Sequence, residues 1–170
     1  MTIDEANRTL SYRARALAQA HPLSGTARRY LVDVVDRERE SQPLPQAADW
    51  ASATALAGYC VRRVEEADAG LVVDAADVAP ADEGLARRVA EAAADLRGGA
   101  ADRFQLTPAA DVLDALNHIV ATDVERRLDH LRDEVDDAAW DELGEYLAWW
   151  VTLGYALRVA EVEPRRATAP

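Results

Sequence analysis

The chain contains no lysine, and it has only one cysteine, one phenylalanine and one methionine among 170 residues. The lone cysteine, Cys60, excludes a disulfide within the chain and any metal site that needs several cysteines. No stretch approaches the roughly 18 consecutive apolar residues of a membrane-spanning helix. The first residues do not show the basic segment and apolar core of a secretory signal. These absences predict a cytoplasmic protein with no membrane partner.

Positive charge is also scarce. Acidic residues outnumber basic ones by 31 to 19, which gives a formal net charge of −12. An electrostatic field of that sign repels the phosphate backbone of DNA and RNA. We therefore expect no nucleic-acid partner.

What the sequence does contain is helical periodicity, almost without the alternation typical of strands. The pattern predicts a single all-α domain over residues 1–163, followed by a disordered tail over 164–170. The segment 71–82 fits either a connector or a short strand. Six helices are expected, at about 4–20, 24–40, 47–67, 82–97, 108–135 and 137–162.

Local signals support several of these helix ends. Ser24 or Thr26 can cap the second helix, and Thr107 before a proline can cap the fifth. Asp136 or Asp137 opens the sixth helix, and Gly70 suits the end of the third. The sixth helix is apolar nearly all round between residues 146 and 160, which predicts a central position for it.

One octapeptide pattern, Gly-Tyr-x-x-Arg-x-x-Glu, occurs twice, in the third and in the sixth predicted helix. Aligning the two copies also brings the preceding helices close to register, with residues 27–36 beside 125–134. This order predicts an internal repeat with two-fold pseudosymmetry, with convergence as the alternative. The residues of the pattern are Gly58, Tyr59, Arg62 and Glu65, then Gly154, Tyr155, Arg158 and Glu161.

The physical role of the pattern follows from its residue types. A glycine among small residues lets a partner helix approach closely, so we expect the third and sixth helices to form a central pair. If they cross antiparallel, each arginine can reach the glutamate of the other helix. The favoured interpretation is structural ion pairs in the helical core, in which each arginine bonds to the glutamate of its own helix or to that of the other. The alternative is a cleft for a small anionic ligand, lined by Tyr59, Arg62, Glu65, Tyr155, Arg158 and Glu161.

No pattern in the sequence identifies catalytic chemistry. There is no glycine-rich phosphate loop, no Gly-x-Ser-x-Gly elbow and no Cys–His dyad, so no catalytic residue is assigned and enzymatic activity stays open. Asp111, Asp114 and His118 have helical spacing, but an apolar stripe opposite them indicates a solvated face. We therefore predict neither a metal site nor a cofactor.

The functional hypothesis that remains is a helical module that binds a protein partner or a second copy of itself. Trp149 and Trp150 are adjacent on one helix and point about 100° apart. Both can be buried only if the helix is surrounded, or if one of them contacts another subunit. A homodimer is the expected assembly, and binding of a small anion is the alternative function.

Overall fold

In the computed structural model, residues 3–41, 45–71, 73–98, 105–129 and 136–168 are described. Within these ranges all regular secondary structure is helical, which confirms the predicted all-α class. The α-helices are α1 (Ile3–Ala18), α2 (Gly25–Ser41), α3 (Pro45–Asp68), α4 (Glu83–Gly98), α5 (Ala109–Leu128) and α6 (Asp137–Thr168).

Side-chain caps fix the starts of α2 and α6, as the sequence predicts. The Ser24 hydroxyl accepts a hydrogen bond of 3.0 Å from the backbone N–H of Ala27. A carboxylate oxygen of Asp136 accepts one of 2.9 Å from the N–H of Ala139. Each cap satisfies a backbone donor that has no partner within its helix.

The end of α3 is a glycine-dependent turn. Gly70 has a φ of +72°, a left-handed conformation that a residue without Cβ adopts easily. The next N–H, from Leu71, donates to the carbonyl of Glu66 at 2.8 Å and closes the last turn of the helix. The chain then leads into a short 3₁₀ turn at Ala75–Asp77. No strand forms among the described residues of the segment 71–82; residue 72 lies outside them.

The fifth helix differs from its prediction at its start. Pro108 occupies the capping position and α5 has no side-chain cap hydrogen bond, so the expected cap by Thr107 is wrong. The described part of α5 ends at Leu128, and residues 130–135 of the predicted range lie outside the described part of the chain. Among the described residues the longest helix is α6, with 32 residues. It runs to Thr168, past the expected end at 162, and the expected disordered tail stays a prediction.

The bundle is organised around α3 and α6, which share the most extensive helix–helix contact of the described residues. This confirms the predicted central pair. α1 and α2 pack on α3, while α4 and α5 pack on α6. From Trp150 to Val162, all residues of α6 but Thr152 are buried, as its apolar sequence indicates.

The amphipathic pattern of α5 is also confirmed where the structure describes it. The predicted polar side of the helix includes Asp114 and His118, and both are exposed. The last member of the predicted apolar stripe, Leu131, lies outside the described part of the chain. The described residues of the stripe are all buried: Val112, Leu116, Ile119, Val120, Val124 and Leu128.

Over the described residues, no helix is both long enough and apolar enough to cross a bilayer.

Candidate functional site

The two glycines of the repeated pattern mark the point where the backbones of α3 and α6 touch. A Cβ placed on Gly58 would overlap the carbonyl oxygen of Val151 and lie 3.1 Å from its Cα. A Cβ on Gly154 would overlap the carbonyl oxygen of Ala55 and lie 3.0 Å from its Cα. The contacts are reciprocal, since each glycine meets the residue three positions before the other glycine. At both positions only glycine fits the observed separation.

The two helices run parallel, so the antiparallel crossing considered from the sequence does not occur. Helix α2 runs antiparallel to α6: Ser24, at the start of α2, donates to Glu161 near the end of α6, and Tyr146, near the start of α6, donates to Glu38 near the end of α2. It also runs antiparallel to α3, since Arg39 near its end donates to Asp49, and Pro22 before its start accepts from Arg63. Two helices that are both antiparallel to a third run parallel to each other. A face of small residues permits close approach in either direction, which is why the sequence did not reveal the direction.

Of the two arginine–glutamate pairings expected from the sequence, within one helix or between the two, the structure shows the pairing within each helix. Nη1 of Arg158 lies 2.7 Å from Glu161, three residues further along the same helix. Nη1 of Arg62 lies 3.7 Å from Glu65 in the equivalent arrangement. Both arginines are thus paired with carboxylates in the core.

The tyrosines make the contacts that cross between the two motifs. The hydroxyl of Tyr59 donates a hydrogen bond to Glu161, and the hydroxyl of Tyr155 donates one to Glu65. Each hydroxyl also accepts a hydrogen bond from the arginine of the other helix. Tyr59 accepts from Arg158 at 3.2 Å, and Tyr155 accepts from Arg62 at 3.3 Å. Each tyrosine therefore links its own helix to the ion pair of the opposite helix.

Glu66 completes the cluster and was missed by the sequence analysis. Nε of Arg158 lies 2.8 Å from one oxygen of Glu66, and Nη2 lies 2.8 Å from the other. This bidentate pair is the strong geometry for arginine and carboxylate. The available signal was the consecutive pair of glutamates at 65 and 66 in a helix that is buried around this point.

The cluster is not symmetric in charge. The position in α6 that corresponds to Glu66 by the spacing of the motifs is Val162. The motif residues and Glu66 together supply three carboxylates and two guanidinium groups. The cluster thus contains more carboxylates than guanidinium groups, whereas an anion-binding cleft would need an excess of positive charge.

Two further hydroxyl residues connect this cluster to the starts of α5 and α2. Oε2 of Glu65 accepts from the Leu106 N–H at 3.1 Å, the Thr107 N–H at 2.9 Å and the Thr107 hydroxyl at 2.7 Å. Oε2 of Glu161 accepts from the Ser24 hydroxyl at 2.8 Å. Thr107 therefore uses its side chain to bind Glu65 instead of capping α5.

These hydroxyls bear on the predicted repeat. Ser24 and Thr107 hold equivalent places, each just before a helix and each bonded to a motif glutamate. The predicted alignment of 27–36 with 125–134 is different: it sets the first half of α2 against the last turn of α5 and residues outside the described part. The contacts do not support that alignment, and the internal repeat itself stays a prediction.

All six predicted site residues are buried, with exposures between 0% and 4%. Burial, followed by the nearby Glu161 charge, raises the pKa of Tyr59 to about 12. Burial and the charge of Glu65 raise the pKa of Tyr155 as well. For Arg158 burial alone would lower the pKa, but hydrogen bonding to Glu66 and its other acidic neighbours raises it overall. Tyr59 and Tyr155 are therefore neutral, and Arg158 is charged, at neutral pH.

The raised pKa of Tyr59 predicts a loss of stability in alkali. Above pH 10 the unfolded chain releases the Tyr59 proton, while the folded protein holds it until about pH 12, so the free energy of unfolding falls across this window. Tyr59→Phe removes this proton, so the free energy of unfolding should fall less steeply with pH, by about 1.4 kcal/mol per pH unit. Urea unfolding at pH 9 to 12 measures this, with Tyr12→Phe as an exposed control. An unchanged slope in Tyr59→Phe would contradict the prediction.

The remaining reactive side chains give no sign of chemistry at this site. Burial raises the pKa of the Cys60 thiol to about 12, so it is not a thiolate nucleophile at neutral pH. Among the residues that the structure describes, no three metal-ligating side chains form a group that could hold an ion. The cluster at the α3–α6 crossing can hold two helices in register, and its charges already have partners.

No family model matches this chain, and neither does any curated protein or solved structure.

Proposed function

We propose that the protein is a non-catalytic helical module that acts by binding, with self-association into a homodimer as its simplest form. Exposed Trp149 is the observation that carries the proposal. Its side chain is 42% exposed, whereas neighbouring Trp150 is 1% exposed. The two rings meet edge to face with centroids 4.8 Å apart, so Trp150 supports the exposed indole from below. A large apolar ring held in a fixed orientation is typical of an interface anchor.

The buried cluster supports the non-catalytic part of this proposal. Its guanidinium groups are bonded to carboxylates, its tyrosines are neutral, and its side chains have almost no contact with solvent. A cluster with these properties stabilises the α3–α6 pair, and it offers no accessible base or nucleophile. We keep a cytoplasmic location as part of the proposal, on the basis of the sequence alone.

Sedimentation velocity over a range of protein concentrations tests the homodimer. We expect a monomer–dimer equilibrium that Trp149→Ser weakens by about 30-fold or more, since a tryptophan anchor contributes about 2 kcal/mol or more. Tyr12→Ser is the matched control, because it removes another exposed aromatic side chain, from α1. A strict monomer at high concentration, or equal effects of the two substitutions, would contradict self-association through Trp149.

Binding of a small anion by the six motif residues remains the second proposal, and the geometry supports it less well. An anion would have to displace a glutamate from an arginine inside the core. The displaced glutamate would then be a buried charge without a cation, which is unfavourable. A thermal-shift screen against acidic metabolites distinguishes the two proposals. A rise in melting temperature that Arg158→Leu abolishes would favour the ligand site.

A further inference from the structure

A cavity of about 540 Å³ lies between α1, α3 and α5, and none of its lining residues belongs to the buried cluster. Its volume falls in the range of small-molecule sites. The residues around it are of two kinds, polar or charged side chains and small apolar ones. The polar group consists of Tyr12, Arg15, Gln19, Asp123, Arg126 and Arg127.

The charge of this cavity is opposite to that of the protein. Three guanidinium groups and one carboxylate line it, in a chain with a formal net charge of −12. The carboxylate, Asp123, is already bonded at both oxygens. Its Oδ1 accepts from Nη2 of Arg15 at 2.9 Å, and its Oδ2 accepts from the Thr54 hydroxyl at 2.9 Å. Because Asp123 neutralises Arg15, the positive charge of the cavity comes from Arg126 and Arg127.

Arg127 has an unused donor. Its Nε is buried, and no described residue accepts a hydrogen bond from it. The guanidinium lies over the ring of Trp50, 5.7 Å from the ring centroid, and this contact fixes its position. A buried donor without an acceptor is costly, so an acceptor supplied by a ligand would be favourable. Arg126 is exposed and can turn towards the same ligand.

The apolar part of the lining consists mostly of alanine. Ala53 and Ala57, one turn apart on α3, and Ala16 of α1 line the cavity. Their short side chains leave room for an apolar group of a ligand, and Leu56 adds a larger apolar surface. The cavity thus combines an apolar wall with a cationic side, which suits a molecule that has both characters.

We propose that this cavity binds a small organic anion, with its acidic group between Arg126 and Arg127 and its apolar body against the alanines of α3. The acidic group can be a carboxylate or a phosphate, because arginine binds both through the same paired hydrogen bonds. This site is separate from the α3–α6 cluster and from Trp149. Its test is accordingly independent of the proposed self-association.

Isothermal titration calorimetry with benzoate, phenyl phosphate and inorganic phosphate tests the proposal, with benzyl alcohol as the neutral analogue. We expect one or both aromatic anions to bind, inorganic phosphate to bind more weakly, and benzyl alcohol to bind weakest. Which aromatic anion binds more tightly identifies the acidic group. Arg126→Gln should weaken binding about tenfold, the effect of losing one hydrogen bond to a charged group.

Two variants show whether the binding belongs to this cavity. Ala53→Leu fills the space without removing a charge, and we expect it to reduce the affinity at least as much as Arg126→Gln. Arg87→Gln, an exposed position on α4, makes the same charge change away from the cavity and should leave the affinity unchanged. Circular dichroism checks that each variant is folded. Equal effects of Arg126→Gln and Arg87→Gln, equal binding of benzyl alcohol, or no binding of either aromatic anion at millimolar concentration would overturn the proposal.

Discussion

Replacement of Gly154 by alanine should destabilise the protein by about 3 kcal/mol, the upper range for inserting a methyl group into a packed core. The added methyl would overlap the backbone carbonyl of Ala55, which cannot rotate away as a flexible side chain can. The two helices would have to separate, and the tyrosine–glutamate bonds beside the contact would lengthen. The gain in helix propensity, about 1 kcal/mol, offsets only part of this. Urea or thermal unfolding gives the difference directly.

Gly144 provides the control for this experiment. It lies in the same helix, and a Cβ there would meet nothing within 4 Å. Gly144→Ala should therefore leave stability unchanged or raise it by up to about 1 kcal/mol. Gly58→Ala should resemble Gly154→Ala, and the double variant should cost less than the sum, because one separation relieves both contacts. Similar stability of Gly154→Ala and Gly144→Ala would mean that the helices are not in backbone contact.

Arg158→Leu should cost about 3 to 5 kcal/mol, because it leaves a buried carboxylate without its cation. Glu66 would lose both hydrogen bonds of its bidentate pair. Glu161 would keep its bonds from the hydroxyls of Tyr59 and Ser24. The charge left behind is thus mainly that of Glu66.

A double-mutant cycle with Glu66→Leu separates the ion pair from the packing. The double variant Arg158→Leu/Glu66→Leu should be more stable than Arg158→Leu alone, since no unpaired charge remains. The exposed bidentate pair of Arg13 and Asp68 offers a control of similar geometry, with bonds of 2.9 and 2.7 Å. Arg13→Leu should change stability by less than about 1 kcal/mol. Additive effects in the buried cycle would mean that solvent reaches the cluster.

The central helix pair could be predicted from the sequence because its signal is local. Gly58 lies on a face of small residues, and a mid-helix glycine in the same pattern as arginine and glutamate, repeated at Gly154, indicates a close, polar helix contact. The apolar circumference of α6 added the prediction that this helix is surrounded. Residue types and helical period are sufficient for both conclusions.

The partners of the glutamates could not be predicted, because they depend on tertiary structure. Thr107 is 42 positions away from Glu65, and Ser24 is 137 positions away from Glu161. Thr107 before a proline is a strong cap signal, yet its hydroxyl finds a buried carboxylate and binds that instead. The relative direction of α3 and α6 could not be predicted either. The segments that connect them set this direction, and they carry no pattern that distinguishes parallel from antiparallel packing.

The hydrogen bonds of the two glutamates also determine how the protein unfolds. Glu65 belongs to the part of the chain before the connector, and its donors at Leu106 and Thr107 belong to the part after it. The reverse holds for Glu161 and Ser24. A fragment with only α1, α2 and α3, or only α4, α5 and α6, would therefore expose the apolar face of its central helix. It would also contain a glutamate whose hydrogen-bond donors belong to the missing half. We therefore expect that neither half folds on its own and that the α-helices of the whole chain melt in a single cooperative transition.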